Sequence, residues 1–116
     1  MIDQVRPAAF AQWLASLHGT TPLVLDVREP WEFHTAQVRP FGAASAFDVL
    51  SMPMQDIPSR LAELPTNRPI ACLCHHGIRS QHAARYLTQN GFEQVVNIAG
   101  GIAAWSVEAD PSVPEY

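Results

Sequence analysis

Three short apolar runs constrain the fold more than any other feature of this 116-residue chain. They are the segments 23–27 (LVLDV), 69–74 (PIACLC) and 94–98 (QVVNI). An unbroken apolar run of this length, bounded by polar residues or turn signals, is typical of a strand that is buried on both faces. Because segments with helical spacing separate the runs, the sequence predicts an α/β fold with a parallel sheet and helices on both of its faces.

The segments between the runs have the spacing of helices. In residues 7–17 the apolar side chains of Phe10, Trp13, Leu14 and Leu17 fall on one stripe. Residues 79–92 form a second helix that turns Ala83, Ala84 and Leu87 inward and stops at Gly91. Shorter helices are predicted at about 28–38, 58–64 and 100–107, and the proline-rich stretch 38–58 is predicted to be mostly loop.

Length and composition fit one domain spanning residues 1–116, with a proline-rich tail at about 107–116. The formal net charge is −4 with only seven Lys and Arg residues, and no basic run is present, so nucleic acid is not expected as a partner. No segment has the apolar length of a membrane span, and the first residues do not resemble a secretory leader. We therefore expect a cytoplasmic protein with no membrane partner.

Both cysteines lie in the segment 72–81, CLCHHGIRSQ. Cys72 and Cys74 are two residues apart in a predicted strand, where a disulfide between them would be strained, so both thiols are expected to be free. Free thiols suit a reducing compartment. Cys74 ends the strand, and ligands of parallel sheets bind beyond the carboxyl ends of the strands.

The residues after Cys74 favour a reactive thiol. A loop between a strand end and a helix that begins near Arg79 turns backbone N–H groups inward, and the helix N-terminus adds partial positive charge. This environment attracts an anion and favours the thiolate, the form that attacks. Gly77 permits the positive φ of a tight loop. An isolated buried cysteine is more often inert, but the glycine, the arginine and the strand-to-helix context together favour a nucleophile.

A zinc site is the main alternative, since the segment contains Cys72, Cys74, His75, His76 and His82. However, paired zinc thiolates usually have at least two intervening residues, and here there is one. Cys72 lies inside a predicted strand, and His82 is one helical turn beyond the loop. We expect neither a metal nor a cofactor.

The segment 74–79, CHHGIR, resembles the active-site loop of rhodanese-like sulfurtransferases, in which a cysteine, four further residues and a basic residue form a six-residue cradle. The similarity extends to 25–33 (LDVREPWEF), 53–65 (PMQDIPSRLAELP) and 91–105 (GFEQVVNIAGGIAAW). The resemblance implies a single doubly wound domain with about five mainly parallel strands.

The resemblance also implies an activity. Cys74 would take a sulfane sulfur from a donor such as thiosulfate, hold it as a persulfide, and pass it to a thiol or cyanide. A protein sulfur acceptor is a further candidate. The loop residues would bind the donor, with backbone N–H groups stabilising the sulfur and Arg79 holding the anion; they are His75, His76, Gly77, Ile78, Arg79 and Ser80.

Two other functions exist among proteins that the chain resembles. Phosphatases and arsenate reductases need a loop one residue longer, and non-catalytic regulatory modules tend to lose the cysteine. The chain departs from the family pattern at His75, where thiosulfate-using relatives commonly have Arg or Lys, so a histidine takes the place of a basic residue in the anion cradle. A second departure is 34–45, HTAQVRPFGAAS, where relatives usually carry a Gly-His-Ile-Pro-Gly-Ala type segment.

The remaining notable residues are interpreted as structural. Asp26 and Arg28, at a strand end, are expected to form hydrogen bonds and ion pairs, with Glu32 as the candidate partner of Arg28. Trp31 and Phe33 could border a pocket, although an aromatic side chain on a short helix is usually part of the core. Core positions are also expected for Cys72, Phe33 and Trp105.

Overall fold

The computed structural model describes residues 2–40 and 46–116, and its centre is a five-stranded parallel sheet. The strands are β1 (Asp3–Val5), β2 (Leu23–Asp26), β3 (Asp48–Ser51), β4 (Ile70–Leu73) and β5 (Val95–Ile98). They lie in the order β1-β5-β4-β2-β3, and every neighbouring pair is parallel. The predicted doubly wound α/β architecture is therefore confirmed, and the three apolar runs are its central strands.

The two edge strands were not anticipated. The prediction that 38–58 is mostly loop is wrong for β3, which pairs with β2 along its whole length, from Leu23 beside Asp48 to Asp26 beside Ser51. β1 is mostly exposed and pairs with β5. An edge strand has a neighbour on one side only, so neither segment needs the apolar run by which a central strand is recognised. Residues 41–45, which belong to the second departure from the family pattern, lie outside the described residues.

The helices agree with the predicted positions to within a few residues. They are α1 (Phe10–Ala15), α2 (Pro30–Thr35), α3 (Ile57–Arg60), α4 (Ile78–Gln89) and α5 (Gly101–Glu108). The predicted helix at 58–64 is broken, because α3 covers one turn and a 3-10 turn at Leu61–Glu63 follows it. Within the two described ranges, no helix is both long enough and apolar enough to cross a membrane.

β4 is buried on both faces, and its side chains point alternately into two layers of the core. Cys72 and Cys74 belong to the layer that contains residues of α3 and α4. Ala71 and Leu73 belong to the layer that contains residues of α1 and α5. In the second layer Trp105 is fully buried, which confirms its predicted packing role. Its ring lies 5.0 Å from that of Phe10, with an interplanar angle of 66°.

Two polar segments meet at the carboxyl edge of this sheet. β2 and β4 are neighbours in register, with Asp26 beside Leu73. The segment that follows β2 and leads into α2 therefore lies next to the loop that follows β4 and leads into α4. This edge contains the candidate site.

Candidate active site

The loop between β4 and α4 directs backbone N–H groups at the sulfur of Cys74. The amide of Gly77 donates to Sγ at 3.1 Å, and the amide of Ser80 donates at 3.3 Å. Gly77 has φ 97°, a left-handed conformation that strains any other residue, and α4 begins immediately after it. Two amides and the N-terminus of α4 therefore face Sγ, and this inward direction of the N–H groups is what the loop pattern predicted.

The first turn of α5 holds the other side of the loop. Ile102 N donates to Cys74 O at 2.9 Å, and Ala103 N donates to His75 O at 3.0 Å. The close approach depends on Gly101, which has φ 62°, since a Cβ there would overlap both carbonyl oxygens. These bonds fix the Cys74 and His75 carbonyls on α5, and the loop's amides are left to face the sulfur.

A polar chain, buried as far as Asn97, extends from Cys74 to the edge strand β1. The thiol donates to Ser80 Oγ at 3.3 Å, and the Ser80 hydroxyl donates to Asn97 Oδ1 at 2.5 Å. Asn97 Nδ2 in turn donates to Gly77 O at 3.1 Å and to Gln4 Oε1 at 2.9 Å. Asn97 thus fixes the positions of Gly77 and Ser80, the two residues whose amides contact the sulfur. Asn97 was not among the predicted site residues, although an amide inside the apolar run QVVNI was an available signal.

Arg79 forms a bidentate ion pair with Glu32. Its Nη1 lies 2.7 Å from Glu32 Oε1, and its Nη2 lies 2.9 Å from Oε2. The hydrogen bonds from Arg79 hold the pKa of Glu32 at about 2, although burial opposes this effect. The predicted partner of Arg28 is therefore wrong, because the Glu32 carboxylate pairs with Arg79. In this arrangement the Arg79 guanidinium is occupied by a protein carboxylate.

Arg28 is fully buried and pairs with Asp26 instead. Its Nε and Nη2 contact the two carboxylate oxygens at 2.8 and 2.6 Å. Further hydrogen bonds run from the guanidinium to Ala36 O at 2.6 Å and to Glu32 O at 3.2 Å. The expected hydrogen-bonding and ion-pairing role of Asp26 and Arg28 agrees with these contacts, which join β2 to α2.

His75 lies between two other rings. It stacks on His76 at 4.0 Å and on Tyr116 at 4.1 Å, with an interplanar angle of 10° to the tyrosine. Burial lowers the pKa of His75, and repulsion from His76 adds to the effect, so the ring is neutral at pH 7. His75 consequently lacks the positive charge that Arg or Lys would supply at this position.

Tyr116 brings the predicted tail back to the site. Its hydroxyl donates to Glu32 Oε2 at 2.8 Å and accepts from Arg28 Nη1 at 2.9 Å. The tail is attached further back by Val113, which is buried in the core layer that also contains Trp105. No feature of the segment ADPSVPEY indicated that it reaches the cysteine loop.

The residues that the sequence indicated for the site differ widely in their exposure to solvent. His76 is exposed and Ile78 is 70% exposed, whereas Cys74 is 1% exposed. Trp31, predicted to be core, is 63% exposed, because the short helix α2 turns it outward.

The described residues contain no group of three or more His, Cys, Asp or Glu side chains placed to hold a metal ion. Both cysteines are free, and burial raises the pKa of Cys72 to about 12, so this thiol is an inert core residue.

The Glu32–Arg79 pair makes a testable contribution to stability. Since the folded-state pKa of Glu32 is lowered from 4.5 to about 2, its stabilisation is present above pH 5 and is lost as the pH falls towards 2. We expect Glu32→Gln to lower the free energy of unfolding at pH 7 by on the order of 3 kcal/mol. Urea titrations should show this difference from the wild type shrinking to nearly zero by about pH 2.

Glu63→Gln is the matched control, because Glu63 also pairs with an arginine, Arg60, but on the surface. A difference between wild type and Glu32→Gln that stays constant with pH would contradict the assigned role of the Glu32 carboxylate.

The chain is similar to known proteins both in sequence and in fold. The family model for the rhodanese-like domain matches residues 10–108. A sulfurtransferase from Allochromatium vinosum is 33% identical over 113 residues, which are 97% of this chain and 96% of that protein. Thiosulfate sulfurtransferase GlpE from Vibrio cholerae is 33% identical over 82 residues, which cover 71% of this chain and 70% of that protein. The crystal structure of a rhodanese-related protein from Thermoplasma volcanium superimposes with a TM-score of 0.75 at 27% identity, covering 97% of both chains.

Proposed function

Because the chain belongs to the rhodanese-like domain family, we propose that it is a sulfurtransferase that carries sulfane sulfur on Cys74 as a persulfide. The observation that carries this proposal is the convergence of the Gly77 and Ser80 amides on Sγ within a six-residue loop from Cys74 to Arg79. These donors stabilise a sulfur anion before and after transfer, which is what a two-step covalent mechanism requires.

In the first half-reaction the Cys74 thiolate attacks the outer sulfur of the donor. With thiosulfate the donor S–S bond breaks, sulfite leaves with the electron pair, and a Cys74 persulfide anion forms. In the second half-reaction a thiolate or cyanide attacks the outer sulfur of the persulfide. The new bond forms on the acceptor, and Cys74 leaves as the thiolate, ready for another cycle.

The donor is proposed to bind against the loop residues 75–80, where the backbone N–H groups meet the reacting sulfur. His75, His76 and Ile78 border this space, and Gly77, Arg79 and Ser80 shape it. Acceptors are small thiols, cyanide or a protein thiol. We further propose that residues 1–116 act as one catalytic unit. We also propose that this unit works in the cytoplasm, because the thiols of Cys72 and Cys74 are free and free thiols suit a reducing compartment.

Intact-mass spectrometry tests this function directly. After incubation with thiosulfate or an organic persulfide and removal of excess donor, the wild type should gain the mass of one sulfur atom. Cys74→Ser should gain none, and Cys72→Ser, which removes the buried core thiol, should still gain one. Added cyanide should remove the extra mass and release thiocyanate. An unmodified wild-type mass with every donor would reject the enzyme in favour of a non-catalytic member of the family.

A further inference from the structure

The Cys74 loop is bordered by a continuous row of aromatic rings. The aromatic row consists of Trp31, Tyr116, His75 and His76, with successive ring centroids 6.0, 4.1 and 4.0 Å apart. Trp31 is 63% exposed, although large aromatic side chains are usually buried. A wall of this kind offers apolar contact to the organic part of a ligand.

The cations beside this row are already paired. Arg79 is held by both oxygens of Glu32, and Arg28 is held by both oxygens of Asp26. The remaining Arg28 nitrogen that faces the row donates to the Tyr116 hydroxyl. The doubly charged head of a donor such as thiosulfate would therefore meet guanidinium groups that are already paired with protein carboxylates.

Tyr116 contributes both to the aromatic row and to the hydrogen bonding of the paired charges. Its ring extends the aromatic row over His75, and its hydroxyl joins Glu32 to Arg28. Burial raises the pKa of Tyr116, so the hydroxyl keeps its proton and remains a donor to Glu32 at neutral pH. Removing the side chain would open the row, expose the Glu32–Arg79 pair to water and free one Arg28 N–H.

We propose that the site takes an organic thiol persulfide as its sulfur donor and that Tyr116 is the residue that sets this preference over thiosulfate. The inference rests on the proposed sulfur transfer and specifies its donor. An organic persulfide presents two sulfur atoms on an alkyl stem and has no sulfonate head that needs a free cation. In the transfer, the Cys74 thiolate attacks the outer sulfur of the donor, the donor S–S bond breaks, and the stem leaves as a thiolate. The outer sulfur and its proton stay on Cys74.

The donor half-reaction tests this preference without any acceptor. Second-order rates of Cys74 persulfide formation are measured by quenched-time intact mass, with thiosulfate and with the persulfide of 2-mercaptoethanol, whose stem is uncharged. We expect the wild type to react at least about tenfold faster with the organic donor. The guanidinium groups beside the aromatic row are paired with protein carboxylates rather than with the charged head of thiosulfate, and one hydrogen bond to a charged group contributes about this factor. Tyr116→Ala should lower the ratio of organic to thiosulfate rates about tenfold, mainly by raising the thiosulfate rate.

Two further variants separate specificity from folding. Tyr116→Phe keeps the ring but loses the hydroxyl, so it should change the ratio in the same direction by a smaller factor. Tyr86→Phe removes a hydroxyl from α4 away from the aromatic row and should leave the ratio unchanged. Calorimetric titration of thiosulfate into Cys74→Ser, with and without Tyr116→Ala, gives a second measure, and the double variant should bind about tenfold more tightly.

The inference is overturned if the wild type prefers thiosulfate, or if Tyr116→Ala changes both rates by the same factor. Either result would leave the sulfurtransferase proposal intact, because the Cys74 persulfide would still form. A wild type that gains no sulfur from either donor would overturn both.

Discussion

Replacing Arg28 with alanine is expected to lower the free energy of unfolding by about 3–5 kcal/mol, the usual effect of leaving one member of a buried ion pair alone. Asp26 is 1% exposed, so its carboxylate would lose both guanidinium contacts without gaining water. The carbonyl of Ala36 would lose a donor as well. Urea unfolding followed by tryptophan fluorescence measures the loss as a lower transition midpoint.

Controls distinguish the buried charge from a general effect of removing an arginine. Arg60→Ala breaks an exposed pair with Glu63 and should leave the midpoint nearly unchanged. Adding Asp26→Asn to Arg28→Ala should recover part of the lost stability, because the uncompensated charge is then gone. If the double variant were less stable than the sum of its two single variants predicts, the assigned cause would be wrong.

Gly101→Ala should also be strongly destabilising, by about 3–5 kcal/mol, through two additive causes. A left-handed φ of 62° is unfavourable for alanine, and the new Cβ would overlap the carbonyl oxygens of Cys74 and His75. Relief of the overlap must move the Cys74 loop away from α5. We therefore expect slower persulfide formation on Cys74 in addition to a lower unfolding midpoint.

Gly91→Ala provides a matched control for backbone conformation. Gly91 has φ 92°, but a Cβ there would meet nothing within 4 Å. This variant should lose only about 1–2 kcal/mol and keep its rate of persulfide formation. Equal effects of the two substitutions would show that the close approach of α5 to the loop is unimportant.

The central part of the fold was predictable because it depends on local signals. β2, β4 and β5 are buried on both faces, and such burial requires the apolar runs that the sequence displays. The loop after β4 was predictable for a similar reason, since the strand end, Gly77 and the following helix are adjacent in the chain. β1 and β3 are short edge strands, and only their pairing with β5 and β2 makes them strands.

The charge balance of the site depends on contacts between distant parts of the chain. Glu32 and Arg79 are 47 residues apart, and Tyr116 and Glu32 are 84 residues apart. Composition and spacing report which charges exist but not which of them pair. The sequence therefore indicated an anion cradle with available cations, whereas the folded chain neutralises those cations with its own carboxylates.

The polar chain behind Cys74 has a consequence for how the sulfur changes charge. The hydroxyl of Ser80 has one proton, which it donates to Asn97 while accepting from the thiol. A thiolate has no proton to give, so Ser80 must rotate to donate to the sulfur, and Asn97 then loses a buried hydrogen bond. If Cys74 carries sulfur as proposed, the charge moves to the outer sulfur of the persulfide, and the hydroxyl can donate to Asn97 again. The orientation of the Ser80 hydroxyl would then follow the charge on the sulfur of Cys74.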